Sequence, residues 1–475
     1  MTTHGYTQQY VVFDPELLFR EQVRHALTAE PLNKALWPLL EASRMPISPS
    51  DYEIESIPVV KFLPGNHDIP DPPFVPQETF NVRFPDPDAA DRFRKAVVAS
   101  IRLGNSPLKS VGVNPTVTVG EFSVPGSPDD ALFGTFDDAL RLIRADMLPT
   151  SLDGECVNVA LIDAGVDKTS ILPPGKFGGG WYPTSPVTGS PTTALPGMTV
   201  GADALHGTML VNNILGIARK VRIFDVPIIH PPKIYDISSY INVVDAAYRQ
   251  ILKDIQWFQN LGFFTGPWIF VNAWAIYDRR SEGAYLGEYT ENLGAGGLSP
   301  PHPFIDTITQ VAQRNFDTVF CAGNCGEVCP DGRCGPNDYG PGRGIWGANA
   351  HSQVLTTGAV RVDGIWPGYS SEGPGPTPHL YAQKPDLCTP SQFVGRLGVY
   401  PPSTGSSASA AVAAGVLCAL RSPAGWNQQR VPPFILKLIL NSTAAQTQGT
   451  GWNRWIGNGI MDAFAAHQQL VASFP

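Results

Sequence analysis

The stretch "STGSSASAAVAAGVLCAL", residues 403–420, places adjacent serines, Ser406 and Ser407, at the head of a segment made almost wholly of Ala, Ser, Gly and Val. Ala favours helix, whereas Gly405 and the residues before it suit the turn and cap that begin one. With hardly any charge or bulk, the segment predicts a tight turn feeding a buried helix. A hydroxyl at such a helix start lies near unpaired backbone N–H groups and the positive end of the helix dipole, where an anion formed during acyl transfer is stabilised. Two readings follow: a nucleophile, or an ordinary cap on a small-residue helix packed close against a neighbour. This segment alone leaves both open.

Three further segments carry chemistry-bearing residues at element ends. In "VNVALIDAGVD" (157–167) a buried-strand run, Val157 to Ile162, ends in Asp163 with Gly165 two residues on. That puts a carboxylate at the C-terminal edge of a parallel sheet, where ligands gather in such folds. In "LHGTMLVNNILGIARKVRIFDVPII" (205–229) His206 precedes Gly207 and Thr208 at the start of an apolar helical run, and a strand follows from Val221. "DTVFCAGNCG" (317–326) is an apolar strand ending in Gly323 and Asn324, whose side-chain amide can donate to a developing oxyanion. Each has a plain structural reading on its own: a capping Asp, a packing His, an Asn in a turn.

Taken together and in this order, Asp, His, Asn, Ser, the four segments resemble the subtilisin-like serine proteases, the subtilases. The aspartate segment "VALIDAGVD", the histidine helix "HGTMLVNNI", the oxyanion segment "CAGN" and the serine segment "GSSASAAVAAG" carry the likeness. Matching Gly415 to the family's terminal glycine makes Ser407, not Ser406, the nucleophile. Lesser matches, "QVLTTGAVRVDGIWPGYSSEGPG", "KPDLCTP" and "WIGNGIMDAFAA", extend the resemblance from about residue 130 to the end. It implies an α/β subtilisin-like fold: a mainly parallel central sheet covered by helices on both faces. It also implies roles: Ser407 attacks a scissile carbonyl, His206 takes and returns the proton, Asp163 holds the imidazole, and Asn324 stabilises the oxyanion.

The chain departs from the family in places. The hydroxyl expected after the aspartate is Ala164, the proline expected in the serine helix is Ala411, and the residue after the nucleophile, commonly Met, is Ala408. Where subtilases have a Ser-x-Gly-like stretch that pairs with extended substrate, "FVNAWAIYD" (270–278) has Trp274 and Ile276. The expected substrate-binding residues are Ala273, Trp274, Ala275 and Gly323. The bulk of Trp274 and Ile276 is expected to narrow or redirect the primary pocket and make the enzyme selective, unless both side chains turn into the core.

Composition bounds the rest. The 475 residues carry a formal charge of −9, with 43% hydrophobic and 16% charged residues and no basic stripe with interleaved aromatics, so no nucleic-acid partner is expected. The N-terminus lacks a basic run followed by an apolar one, and nowhere do eighteen apolar residues run together; no membrane partner and a cytoplasmic location are expected. Seven cysteines do not suggest a disulfide scaffold. Four of them crowd into "CAGNCGEVCPDGRC", where Cys325, Cys329 and Cys334 are read as free thiols, the alternative being zinc with His351 or Cys388 as fourth ligand. No cofactor is required by the expected chemistry, with structural calcium or zinc left open.

Before about residue 128 the pattern differs. Asp14 and Pro15 open an expected helix, another follows around Leu36 to Leu40, and a proline-dense stretch from Pro64 to Pro87 reads as an extended connector. "TFNVRF", a helix from Pro87 and "TVTV" near Val117 form a small α/β unit. Residues 1–128 are therefore expected to be an N-terminal region, either a docking module for a partner protein or propeptide-like, and 129–475 the peptidase domain. The leading expectation is a serine endopeptidase acting on a protein or peptide. The alternatives are a peptide ligase or cyclase and a pseudoprotease scaffold that binds without cutting.

Overall fold

A computed structural model of the chain describes residues 8–13, 53–119 and 132–475, apart from 66–68, 74–77, 85, 105, 107, 116, 172–175, 186–187, 199–201, 230–240, 293–300, 377–382, 397–401, 424, 447–448 and 450. The helices expected after Asp14 and around Leu36 lie outside the described residues, as does the expected boundary near residue 128.

The N-terminal strands are β1 (Gln8–Phe13), β2 (Glu53–Ser56), β3 (Val59–Pro64), β4 (Thr79–Arg83), β5 (Leu108–Val113) and β6 (Thr118–Val119). Four of them form an antiparallel sheet in the order β2-β4-β1-β5. Helix α1 (Pro87–Arg102) covers it, started by the Asp86 side chain accepting from Ala89 N at 2.7 Å and by proline at the first position. The alternation of Phe80, Val82 and Phe84 turns those rings and methyls toward Ala90, Phe93 and Val97 of α1, which closes a small separate core.

The rest of the chain builds a larger sheet. After a short helix α2 (Phe136–Leu142) come β7 (Asn158–Asp163), β8 (Phe177–Thr184), α3 (Ala202–Ile217), β9 (Arg222–Pro227), α4 (Ile241–Asn260), β10 (Trp268–Asn272), β11 (Trp274–Ala275), α5 (Pro303–Gln313), β12 (Asp317–Cys321), β13 (Leu355–Val360), β14 (Leu387–Pro390) and α6 (Gly405–Leu420). The eight-stranded order is β14-β13-β12-β10-β7-β9-β8-β3. Its seven strands other than β3 pair in parallel. A parallel sheet is covered on both faces, so its central strands are continuous apolar runs, and every residue of β7 is buried. Alternate residues serve opposite faces. Val159 and Leu161 join Ile214 of α3 and Val412 of α6, while Ala160 and Ile162 join Tyr248 of α4 and Phe304 of α5.

One strand comes from an unexpected place. β3 lies in the N-terminal region but pairs antiparallel with β8, from Val59 opposite Thr184 to Pro64 opposite Gly179. Phe62 sets its ring 5.0 Å from Trp181 and 4.8 Å from Phe258, centroid to centroid. The chain thus leaves the small sheet after β2, adds an edge strand to the large one, and returns for β4. A division near residue 128 does not separate the two sheets. The proline-dense connector begins where β3 ends, and the alternation of "VVKFLP" just before it is too short to announce which sheet it joins.

Helix α6 is buried along its whole length. Its small residues have a purpose at Gly415, where a Cβ would come within 2.9 Å of Ile217 Cδ1, so glycine lets α6 and α3 close on one another. His206 and Ser407 lie in the first turns of these two helices.

Candidate active site

Asp163 is the last residue of β7 and fully buried; His206 lies in the first turns of α3 with 4% of its surface exposed. His206 Nδ1 and Asp163 Oδ1 are 2.7 Å apart. A carboxylate only accepts, so Nδ1 carries the proton and Nε2 is left as the basic nitrogen. Gly207 makes this approach possible: a Cβ there would meet Gly165 O at 2.2 Å and Asp163 Oδ1 at 3.3 Å.

A second buried acid sits beside the first. Asp225 on β9 is opposite Leu161 of β7, and its Oδ2 accepts from Val166 N at 3.1 Å and Gly197 N at 2.8 Å, which ties down the turn after Asp163. Burial pushes its carboxyl up to about 7, and the charge of Asp163 adds to the rise. No family motif singles out Asp225, although a lone acid inside the apolar run "VRIFDVPII" is the kind of signal that marks a buried carboxyl with a task.

Ser407 occupies the first turn of α6, just after Gly405, whose φ of +73° suits the tight turn. Its Oγ is 3.1 Å from the carbonyl of Ala273, to which it donates. Asn324 follows β12 and joins the same turn: its Oδ1 accepts from Ser406 N and from Ser406 Oγ, both at 2.9 Å. Ser406 Oγ accepts in turn from Gly323 N at 3.0 Å. The serine set aside as nucleophile therefore fixes the oxyanion candidate. At its other end Asn324 Nδ2 donates to Tyr277 Oη at 3.3 Å. Neither role was read from the sequence; Tyr277 is 47 residues from Asn324 and no local pattern links them.

The segment expected to pair with substrate is already paired within the chain. β11 pairs antiparallel with β6, Trp274 opposite Val119 and Ala275 opposite Thr118, so the chain lays its own backbone along that strand. The bulk of Trp274 and Ile276 does not enter a pocket. Both are at most 3% exposed and belong to the apolar cluster under the sheet, where the Trp274 ring lies 5.2 Å from Phe320 and 6.0 Å from Phe304. The expectation of a pocket narrowed by these side chains is corrected: period-2 alternation gives them one face, and that face is the core.

The loop cysteines differ from expectation too. Cys325 and Cys334 are joined in a disulfide, which leaves Cys329 half-buried beside them. His351 instead meets Thr309 Oγ1 at 3.3 Å with its pKa pushed by burial down to about 3, and Cys388 is buried in β14. Among the described residues no three His, Cys, Asp or Glu side chains form a cluster able to hold a metal ion. No helix among them is long and apolar enough to cross a membrane.

The N-terminal unit seats itself on the starts of α4 and α5. Asn114 Oδ1 accepts from Asn242 N at 3.0 Å, Asn81 Oδ1 accepts from Asn242 Nδ2 at 2.7 Å, and His302 Nε2 donates to Val113 O at 2.9 Å. Arg94 of α1 pairs with the buried Glu288. Burial holds His302 down at about 3, so it is neutral, and pushes Glu288 up to about 7.

The model of the subtilase family matches residues 155–459. Among solved structures, fervidolysin from Fervidobacterium pennivorans, described as a keratinolytic enzyme related to subtilisin, is similar with a TM-score of 0.53 at 15% sequence identity. The match covers 98% of this chain and 62% of that one, so the chain spans less than two thirds of that protein's length. At this identity the likeness speaks for the fold. No curated protein matches the sequence.

Proposed function

The chain belongs to the subtilase family, and on that premise we propose that it is a serine endopeptidase that cuts protein or peptide chains through an acyl-enzyme on Ser407. The observation that carries the reading is the 2.7 Å contact between Asp163 and His206, together with the bonds that tie Asn324 to the turn bearing Ser407. The Ser407 hydroxyl, which donates to the Ala273 carbonyl in the free chain, turns to His206 Nε2, which takes its proton as the oxygen attacks the scissile carbonyl. The charge that develops on the carbonyl oxygen is met by the Asn324 amide and by the backbone N–H of Ser407 at the head of α6. His206 then gives its proton to the leaving amine, and the same steps with water release the acyl group. Asp163 keeps the imidazole in the working tautomer throughout. No cofactor enters this chemistry.

The N-terminal region is proposed to be the built-in inhibitor of this site. The pairing of β6 with β11 supports this: residues 118–119 add a strand to the segment proposed to pair with an extended substrate. This favours a propeptide-like role over a docking module for a partner, since the surfaces in question face the chain's own α4 and α5. Hydrolysis of an unfolded protein such as reduced casein tests the reading. Once its N-terminal region has been nicked off by limited proteolysis, the chain should cut it, Ser407→Ala treated in the same way should not, and equal cutting by both would overturn the proposal.

A further inference from the structure

We propose that Tyr277 is a positioning residue for the oxyanion donor Asn324, an inference that rests on the serine-peptidase reading above. The orientation of the Asn324 amide is set by chemistry. A backbone N–H can only donate, so the atom 2.9 Å from Ser406 N is the amide oxygen, and the nitrogen is the atom facing Tyr277 Oη. Both bonds from Ser406 converge on that one oxygen, which leaves the far end of the amide to be held by something else. Tyr277 holds it. The amide nitrogen is planar and carries two N–H groups about 120° apart, so donating one to the phenol oxygen sets the direction of the other, the one available to a substrate oxyanion.

The phenol is itself held from several sides. Tyr277 is 4% exposed, and the Arg333 guanidinium lies over its ring at 4.3 Å from the centroid. Arg333 is tied to Asp331, Nε to Oδ1 at 2.8 Å, and the Asp331 N–H donates to the Asn324 carbonyl at 2.8 Å. Gly335 N donates to the Tyr277 carbonyl at 2.8 Å. The disulfide between Cys325 and Cys334 closes this loop, so one short covalent ring carries the residues that fix both Asn324 and the ring beside it. A core tyrosine kept only for packing needs none of these bonds to the oxyanion residue.

The test is the rate at which a small fluorophosphonate labels Ser407 in the full chain, because its phosphoryl oxygen develops charge where a substrate oxyanion would. Tyr277→Phe keeps the ring and removes the hydroxyl; it should slow labelling about three- to tenfold, the worth of one hydrogen bond. Asn324→Ala should slow it on the order of a hundredfold or more. The double variant should be no slower than Asn324→Ala alone, a non-additivity that a packing role does not produce. If Tyr277→Phe unfolds, Arg333→Met, which keeps the hydroxyl but loosens the ring, should slow labelling with Asn324 present and not with Asn324→Ala. Labelling of the Tyr277 variant at the parent rate, or a further equal slowing in the Asn324→Ala background, overturns the proposal while leaving the peptidase reading intact. A parent chain that takes no label at Ser407 removes both.

Discussion

Replacing Phe62 by Ala tests whether the N-terminal region is built into the peptidase sheet. Phe62 lies on β3 opposite Trp181, half-buried, with ring centroids 5.0 Å from Trp181, 4.8 Å from Phe258 and 6.5 Å from Phe224. Truncating a fully buried Phe costs about 3–5 kcal/mol. Half-burial takes away part of that, and the two close ring pairs, at about 0.5–1.5 kcal/mol each, restore some of it, so a loss of about 2–3 kcal/mol is expected. Lys61→Ala, one residue earlier and exposed, should change stability by less than about 0.5 kcal/mol. Urea unfolding followed by tryptophan fluorescence reads both. If Phe62→Ala and Lys61→Ala unfold at the same midpoint, β3 is not part of the sheet. The same reasoning predicts that a chain begun at residue 129 aggregates, since it leaves the β8 edge unpaired and uncovers the aromatic cluster beneath it.

Three other outcomes follow from the buried groups. Asp225, raised to about 7 from 3.8, binds more proton in the folded state between those values, so stability falls as pH rises through that window and levels off above it. In Asp225→Asn that fall should be smaller, by up to about 1.4 kcal/mol per pH unit, and a gap between parent and variant that ignores pH contradicts the burial account. At the seat of the N-terminal unit the two titrations oppose. His302, held down at about 3 from 6.5, weakens docking as pH falls below 6.5, whereas Glu288, raised to about 7 from 4.5, strengthens it as pH falls toward 4.5. Mild acid should therefore not uncover the site, while Glu288→Gln should label progressively faster than the parent as pH drops from 6.5 to 4.5; a constant ratio refutes this. Cys334→Ser opens a loop of sequence separation 9 and should cost about 2–3 kcal/mol in urea unfolding, with no loss expected from Cys329→Ser.

What could be read from the sequence was local. The buried strand ending in Asp163, the apolar strand before Asn324 and the charge-free helix after Gly405 each announce themselves within a dozen residues, because a parallel strand covered on both faces has no polar alternation. The order of those segments then supplied the sheet. What escaped was long-range. The strand Val59–Pro64 pairs with residues more than a hundred positions away, Tyr277 reaches Asn324 through a turn no motif encodes, and the pairing of Cys325 with Cys334 is one of several the spacing allows. Trp274 shows a subtler limit. Alternation states that Trp274 and Ile276 share a face, but whether that face is the cleft or the core depends on Phe304 and Phe320, which lie on α5 and β12. Asp225 was legible in type and missed in meaning, since its purpose comes from the backbone of Val166 and Gly197 folding over it.

The central claim is that Ser407, activated by His206 and Asp163, is the nucleophile. Intact-mass and peptide-mapping measurement after exposure to a fluorophosphonate tests it most directly. A single adduct on Ser407 is predicted, lost in Ser407→Ala and slowed by orders of magnitude in His206→Ala, because only a serine beside a base is activated. An adduct on Ser406, or labelling that survives Ser407→Ala, would contradict the account.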